Sequence, residues 1–93
     1  MHIGIPKEVK LEEHRVSMPP LAVAELVSHG HPVSIQSGAG KGAGFNDEAY
    51  KRAGASLVAD AKAVFAEAEL IVKVKEPQPE ECSLLRPEHT LFT

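Results

Sequence analysis

The apolar residues of this chain fall in short blocks whose spacing switches between two and about four, the signature of strands alternating with helices. His2 to Ile5 is a β-favouring run stopped by Pro6, and a charged stretch from Lys7 to Arg15 follows, which predicts a strand leading into an exposed loop. Pro19-Pro20 predicts a helix start, with Pro20 at the first helical position, where its missing N–H leaves no bond unmade. Val23, Leu26 and Val27 recur at i, i+3 and i+4 until Gly30 ends the helix. Val33-Ser34-Ile35-Gln36 alternates as a second strand should. It runs into Gly38-Ala39-Gly40-Lys41-Gly42-Ala43-Gly44, a loop expected to need several positive φ values.

Asn46 or Asp47 is placed to cap a helix from about Glu48 to Arg52, which Gly54 closes, and Ser56-Leu57-Val58 is a third short strand. Asp60 caps a further helix with an apolar face of Ala61, Val64, Phe65 and Ala68. Leu70-Ile71-Val72-Lys73-Val74-Lys75 is the strongest strand pattern of all. Pro77 and Pro79 interrupt it, Glu80 to Leu85 predicts a helical turn or more, and Thr90-Leu91-Phe92-Thr93 begins another strand. The whole predicts an α/β fold of parallel β-α-β layers, Rossmann-like or flavodoxin-like. With no helix after the last strand, residues 1–93 are expected to be one truncated domain, incomplete at its C-terminal end. An open sheet edge there is expected to favour self-association or strand swapping.

Composition narrows the partners. A formal charge of −3 with both signs scattered along the chain gives no basic stripe, so nucleic acid and anionic membranes are not expected to bind. Neither a secretory signal nor an apolar run of membrane-spanning length is present in these residues, which makes a cytoplasmic location the expectation. Aromatic content of 4% leaves the core to Val, Leu, Ile and Ala. Cys82 is the single cysteine and has no partner at zinc-ligand spacing; the histidines at 2, 14, 29, 31 and 89 show none either, so no metal is expected.

The glycine-rich run invites comparison with the dinucleotide fingerprint G-x-G-x-x-G, and it fails in register. Gly38-x-Gly40 puts Ala43 at the third glycine position, Gly40-x-Gly42 puts Phe45 there, and Val58 is followed by Ala59 where an acidic ribose partner belongs. No cofactor-binding residue is therefore assigned. Arg15, in the loop after the first strand, offers a planar fork of donors that fits the carboxylate of an α-keto or amino acid. Lys73 and Lys75 share one face of the predicted strand, with Val72 and Val74 on the other, and Lys75 stands at its carboxyl end, where open parallel sheets bind ligands. A pair of solvated edge lysines with Glu76 as counter-charge is the competing reading for both. His14 is read as an exposed loop histidine, and Glu12-Glu13 and Glu80-Glu81 as solvated charge.

Taken in order, Gly4-Ile5-Pro6-Lys7-Glu8, Glu13-His14-Arg15-Val16, Ala24-Glu25-Leu26-Val27-Ser28-His29-Gly30-His31, Ser37-Gly38-Ala39-Gly40 with Gly44-Phe45, Ala53-Gly54-Ala55 and Val72-Lys73-Val74-Lys75-Glu76-Pro77 resemble the N-terminal part of the alanine dehydrogenase family. The related N-terminal region of the nicotinamide nucleotide transhydrogenase α subunit shares the opening Gly-Ile-Pro, the arginine and the glycine loop. It usually lacks the Lys-Glu-Pro ending found here at Lys75-Glu76-Pro77.

The resemblance implies a substrate-binding domain of an NAD-dependent enzyme that converts L-alanine, NAD and water to pyruvate, ammonia and NADH. It further implies that Arg15 binds the substrate carboxylate and that Lys75, as the catalytic lysine, bonds the keto or amino end. Lys73 gains no role from it. The resemblance also implies homo-oligomers, commonly hexamers. The family's general acid/base histidine follows the Leu-Phe-Thr segment, and its nicotinamide-binding domain lies further on. Both are expected outside these residues, which alone are expected to be inactive. A transhydrogenase segment and a truncated, non-catalytic binding or assembly module are the alternatives. Pro19-Pro20 departs from the family's usual Thr-Pro, so the hydroxyl cap of the first helix is lost.

Overall fold

A computed structural model describes all residues 1–93. Five strands, β1 (Ile3–Ile5), β2 (Val33–Gln36), β3 (Ser56–Val58), β4 (Leu70–Val72) and β5 (Thr90–Phe92), form one sheet in the order β3-β2-β1-β4-β5. Every pairing is parallel. The chain winds from β1 outward through β2 to β3, then crosses back to lay β4 on the other side of β1. This is the strand order of a Rossmann half-sheet rather than of flavodoxin, and it puts a topological switch point between β1 and β4. Helices α1 (Pro20–Ser28), α2 (Asp47–Arg52), α3 (Ala61–Glu67) and α4 (Pro79–Cys82) fill the crossovers, with a 3-10 turn at Lys41–Ala43.

The period of two along each strand divides the core between the faces of the sheet. Ile3 and Ile5 lie in register with Val33 and Ile35, and these four pack with Val23 of α1 and Tyr50 of α2. On the opposite face Ile71 packs with Val64, Phe65 and Ala68 of α3. Gly4 points toward α3, and a Cβ built there would stand 2.6 Å from Ala68 Cβ and 2.8 Å from Val64 Cγ1. The helix therefore rests directly on the central strand. No helix is long and apolar enough to cross a membrane.

The helix starts follow their sequence signals. Pro20 opens α1 without a side-chain cap, Asn46 Oδ1 accepts from Ala49 N at 2.9 Å to start α2, and Asp60 Oδ1 does the same for Ala63 N at 2.9 Å in α3. Asp47 is not the cap; its carboxylate accepts from Ser37 Oγ at 2.6 Å and Gly38 N at 2.8 Å, tying the glycine loop to α2.

Three expectations need correction. The fourth strand ends at Val72 instead of running to Lys75, although Lys73 N–H still donates to Phe92 O at 2.9 Å. Lys73 is not a solvated edge lysine but is 3% exposed, and Glu81 of the supposedly solvated Glu80-Glu81 pair is 2% exposed. The helical turn expected within Glu80 to Leu85 is present as a single turn, Pro79–Cys82, which starts one residue earlier.

Candidate functional site

The switch point places two loops face to face: the segment after β1, from Pro6 to Arg15, and the segment after β4, from Lys73 to Glu76. The first begins with Glu8, whose side chain is 2% exposed. Glu8 Oε1 accepts from Lys73 Nζ at 3.0 Å and Lys75 N at 3.1 Å, while Oε2 accepts from Val74 N at 3.0 Å. One carboxylate thus holds the chain at the bend that ends β4. The ammonium of Lys73, 1% exposed, also lies 3.1 Å from Glu81 Oε2, but off the direction of a hydrogen bond, so this second contact is one of charge alone. Glu81 Oε1 accepts from Gln78 N at 2.9 Å and helps start α4.

Further along the first loop, Glu13 N–H donates to Lys10 O at 3.0 Å, closing a turn in which Glu12 takes a φ of +67°. The turn brings Glu13 under Arg15. Glu13 Oε2 accepts from Arg15 Nε at 2.9 Å and from Arg15 N at 2.9 Å, and Oε1 accepts from Nη2 at 2.9 Å. The side-on edge of the guanidinium is therefore taken, and its Nη1 end is free. Those hydrogen bonds, with Arg15 as the source of the largest, hold the Glu13 carboxyl down to about 2 and push Arg15 up from its ordinary value. The Glu13 side chain is 5% exposed and that of Arg15 67%, so the carboxylate is covered while the cation faces outward.

Two further ties fix the loops to each other. Ser17 Oγ donates to Val72 O at 2.9 Å, and Lys10 Nζ bridges both oxygens of Glu76 at 3.1 and 3.2 Å. The glycine loop braces the arrangement from the side. A Cβ on Gly42 would lie 2.7 Å from His14 O, so only glycine lets the 3-10 turn approach the Arg15 loop this closely. Gly38 and Gly44 adopt the positive φ expected of this loop, whereas Gly40 and Gly42 do not and serve close approach instead.

Between the loops lies an open cleft of about 460 Å³ lined by Lys10 to Arg15 and by Lys75. Arg15 and Lys75, the two residues singled out from the sequence, line it together. Lys75 Nζ makes no hydrogen bond or ion pair, while Lys10 is engaged by Glu76 and Arg15 by Glu13. Two cationic residues of this lining thus keep donors without a protein partner, Lys75 at Nζ and Arg15 at Nη1. Lys73 is not in the lining. Glu8, Glu13 and Glu81 were missed as site-building residues because their partners are assembled by turns and by the sheet. No group of three or more His, Cys, Asp or Glu is arranged to hold a metal.

These residues do not fit a dinucleotide. The glycine loop follows β2 rather than β1, Tyr50 and Phe45 crowd Gly40, and His14 covers Gly42, so the loop's close-approach surfaces are already occupied by the protein.

The alanine dehydrogenase/PNT N-terminal domain family matches residues 4–93. Over all 93 residues the chain is 50% identical to alanine dehydrogenases of Bacillus subtilis and Mycobacterium tuberculosis, and 48% identical to that of Methanococcus maripaludis. It spans about a quarter of the length of these curated relatives: 24% for the first and 25% for the others. Among solved structures, an L-alanine dehydrogenase superposes on 98% of this chain and 25% of its own with a TM-score of 0.95 at 47% identity. A transhydrogenase from Sinorhizobium meliloti covers 98% of this chain and 27% of its own with a TM-score of 0.89 at 32% identity. With the Rossmann-type half-sheet and the cleft at its switch point, these matches establish that the chain belongs to the alanine dehydrogenase/PNT N-terminal domain family.

Proposed function

We propose that residues 1–93 are the substrate-binding part of an NAD-dependent L-alanine dehydrogenase, with Arg15 and Lys75 as its ligands for alanine or pyruvate. The observation that carries the reading is the pairing of a free ammonium and a half-free guanidinium across one small cleft. A planar carboxylate fits the Nη1 end of Arg15, which Glu13 holds in place from the other side. The Lys75 ammonium then faces the keto oxygen. Positive charge there stabilises the negative charge that gathers on this oxygen as ammonia adds to the carbonyl of pyruvate to give the carbinolamine and, in the other direction, before the carbinolamine expels ammonia to give pyruvate. Lys75 is the catalytic residue in this sense. NAD belongs to a separate domain in this reading, and the segment alone is inactive. The resemblance extends the proposal to a cytoplasmic homo-oligomer, hexameric as is common in the family. The higher identity to dehydrogenases than to the transhydrogenase, 47% against 32% among the structures, favours this side of the family.

The test is a pyruvate titration of the ¹⁵N-labelled chain, followed by backbone amide shifts, with Arg15→Ala and Lys75→Ala alongside. A dissociation constant of ~1 mM corresponds to about −4 kcal/mol and is readily seen this way. Shifts clustered at residues 10–15 and 73–76 in the wild type and lost in each variant are the expected result. A wild type silent at roughly 50 mM, well above that constant, would overturn the assignment.

A further inference from the structure

We propose that Glu8 is a positioning residue for Lys75: its buried carboxylate sets the bend that sends one lysine of the Val-Lys-Val-Lys stretch inward and the other into the cleft. The inference rests on the functional reading of Lys75 given above. Had β4 continued, Lys73 and Lys75 would share a face, because side chains repeat every two residues along a strand. Instead the ladder stops at Val72, and the next two free N–H groups, those of Val74 and Lys75, converge on the two oxygens of Glu8. Consecutive N–H groups converging on one anion form a nest, an anion-binding concavity of the backbone. Here the anion is supplied from the β1 loop, 66 and 67 residues away in sequence.

The same carboxylate takes the Lys73 ammonium at 3.0 Å, drawing that side chain into the interior. Lys75 then leaves the bend with its backbone fixed and its ammonium unpartnered, on the side lined by Arg15. Glu8 has no capacity left for a ligand: its side chain is 2% exposed and both oxygens are engaged. Its effect on substrate is therefore exerted through Lys75.

Glu81 provides the control. It also contacts Lys73 and is equally buried, but it touches neither Val74 nor Lys75. Glu8→Gln and Glu81→Gln each remove one negative charge from the same ion cluster, and only the first disturbs the bend. Hydrogen exchange in the wild type is expected to show the Val74 and Lys75 amides protected although neither lies in a strand. Pyruvate binding, read from amide shifts, is expected to weaken at least tenfold in Glu8→Gln and to stay within twofold of wild type in Glu81→Gln. Equal weakening in both would overturn the assignment, since that is the mark of a merely structural cluster. Freely exchanging Val74 and Lys75 amides in the wild type would overturn it whatever pyruvate does, and this holds even if Glu8→Gln does not fold. Protected amides with no pyruvate response in the wild type would instead sink the functional reading while leaving the bend assigned to Glu8.

Discussion

Replacing Lys73 with Met keeps the length of the side chain and removes the one cation of a buried cluster that contains two carboxylates. Lys73, Glu8 and Glu81 have side-chain exposures of 1%, 2% and 2%, so water cannot take over the role of the ammonium without opening the structure. Glu8 keeps its bonds from Val74 N and Lys75 N, and Glu81 keeps Gln78 N, but two negative charges now face each other with nothing between them. Breaking a buried ion pair by removing one partner costs about 3–5 kcal/mol. A domain of this length has a total stability of roughly 5–14 kcal/mol, at about 0.05–0.15 kcal/mol per residue. The substitution is thus expected to remove at least about a fifth of it, and most of it if the total lies near the lower figure. In urea, with a slope of about 1.5 kcal/mol/M, the midpoint should fall by ~2 M or more. Adding Glu81→Gln to Lys73→Met should restore part of the loss by removing one of the facing charges, while Glu81→Gln alone should move stability by less than ~1 kcal/mol because it leaves a one-to-one pair. A Lys73→Met chain that unfolds within about 0.5 M of wild type, a loss under ~1 kcal/mol at that slope, would refute the reasoning.

Gly42→Ala should push the His14–Arg15 loop away, because the new Cβ would lie 2.7 Å from the backbone oxygen of His14; the expected signature is weaker pyruvate binding together with a lower melting temperature, checked by titration beside calorimetry. Glu13 should make the fold acid-sensitive. Its carboxyl is lower in the folded than in the unfolded state, so the folded state binds fewer protons between pH 4.5 and about 2, and the stability it contributes is present above that window and lost as pH falls through it. Glu13→Gln should flatten that limb of a stability-against-pH curve. Tyr50 acts with the opposite sign. Burial pushes its hydroxyl up to about 12 from 10.0, so the stability tied to its neutral form is present below pH 10 and lost as pH rises toward 12. Tyr50→Phe should abolish that alkaline limb and cost about 1 kcal/mol at neutral pH, since Met18 O loses the hydroxyl that now donates to it at 2.7 Å. Denaturant melts across the pH range check both.

Sequence order and local pattern reveal most of the scaffold, because β1, β2, β3, α1 and the caps at Asn46 and Asp60 are decided by neighbours within a few residues. The miss at Lys73 has the opposite character. Val-Lys-Val-Lys has the period of a strand, and what ends the strand is an acceptor 65 or more residues earlier in the chain. Burial of Glu81 was hidden in the same way, although its place three residues after Gln78, at the start of a proline-opened turn, was a usable signal. Arg15 and Lys75 were legible as chemistry, and their meeting in one cleft follows from the switch point. The engagement of Arg15 by Glu13 was not, because whether an i, i+2 pair meets in a loop depends on backbone turns that the sequence pattern does not display.

The placing of β1 at the centre of the sheet has a kinetic corollary. β1, made before the other four strands, pairs with a neighbour about 30 residues on and with another 67 residues on, and the second of these pairings is what brings the Glu8 loop to Lys73–Lys75. Closing so long a stretch of chain is entropically unfavourable and slow compared with forming the local contacts of a helical protein. A nascent chain therefore has no cleft between the two loops until β4 has left the ribosome and docked, and the half-sheet β3-β2-β1 must persist until then with the outer edge of β1 bare. Chaperone contact during synthesis should accordingly concentrate on the window between the emergence of Val58 and that of Val72.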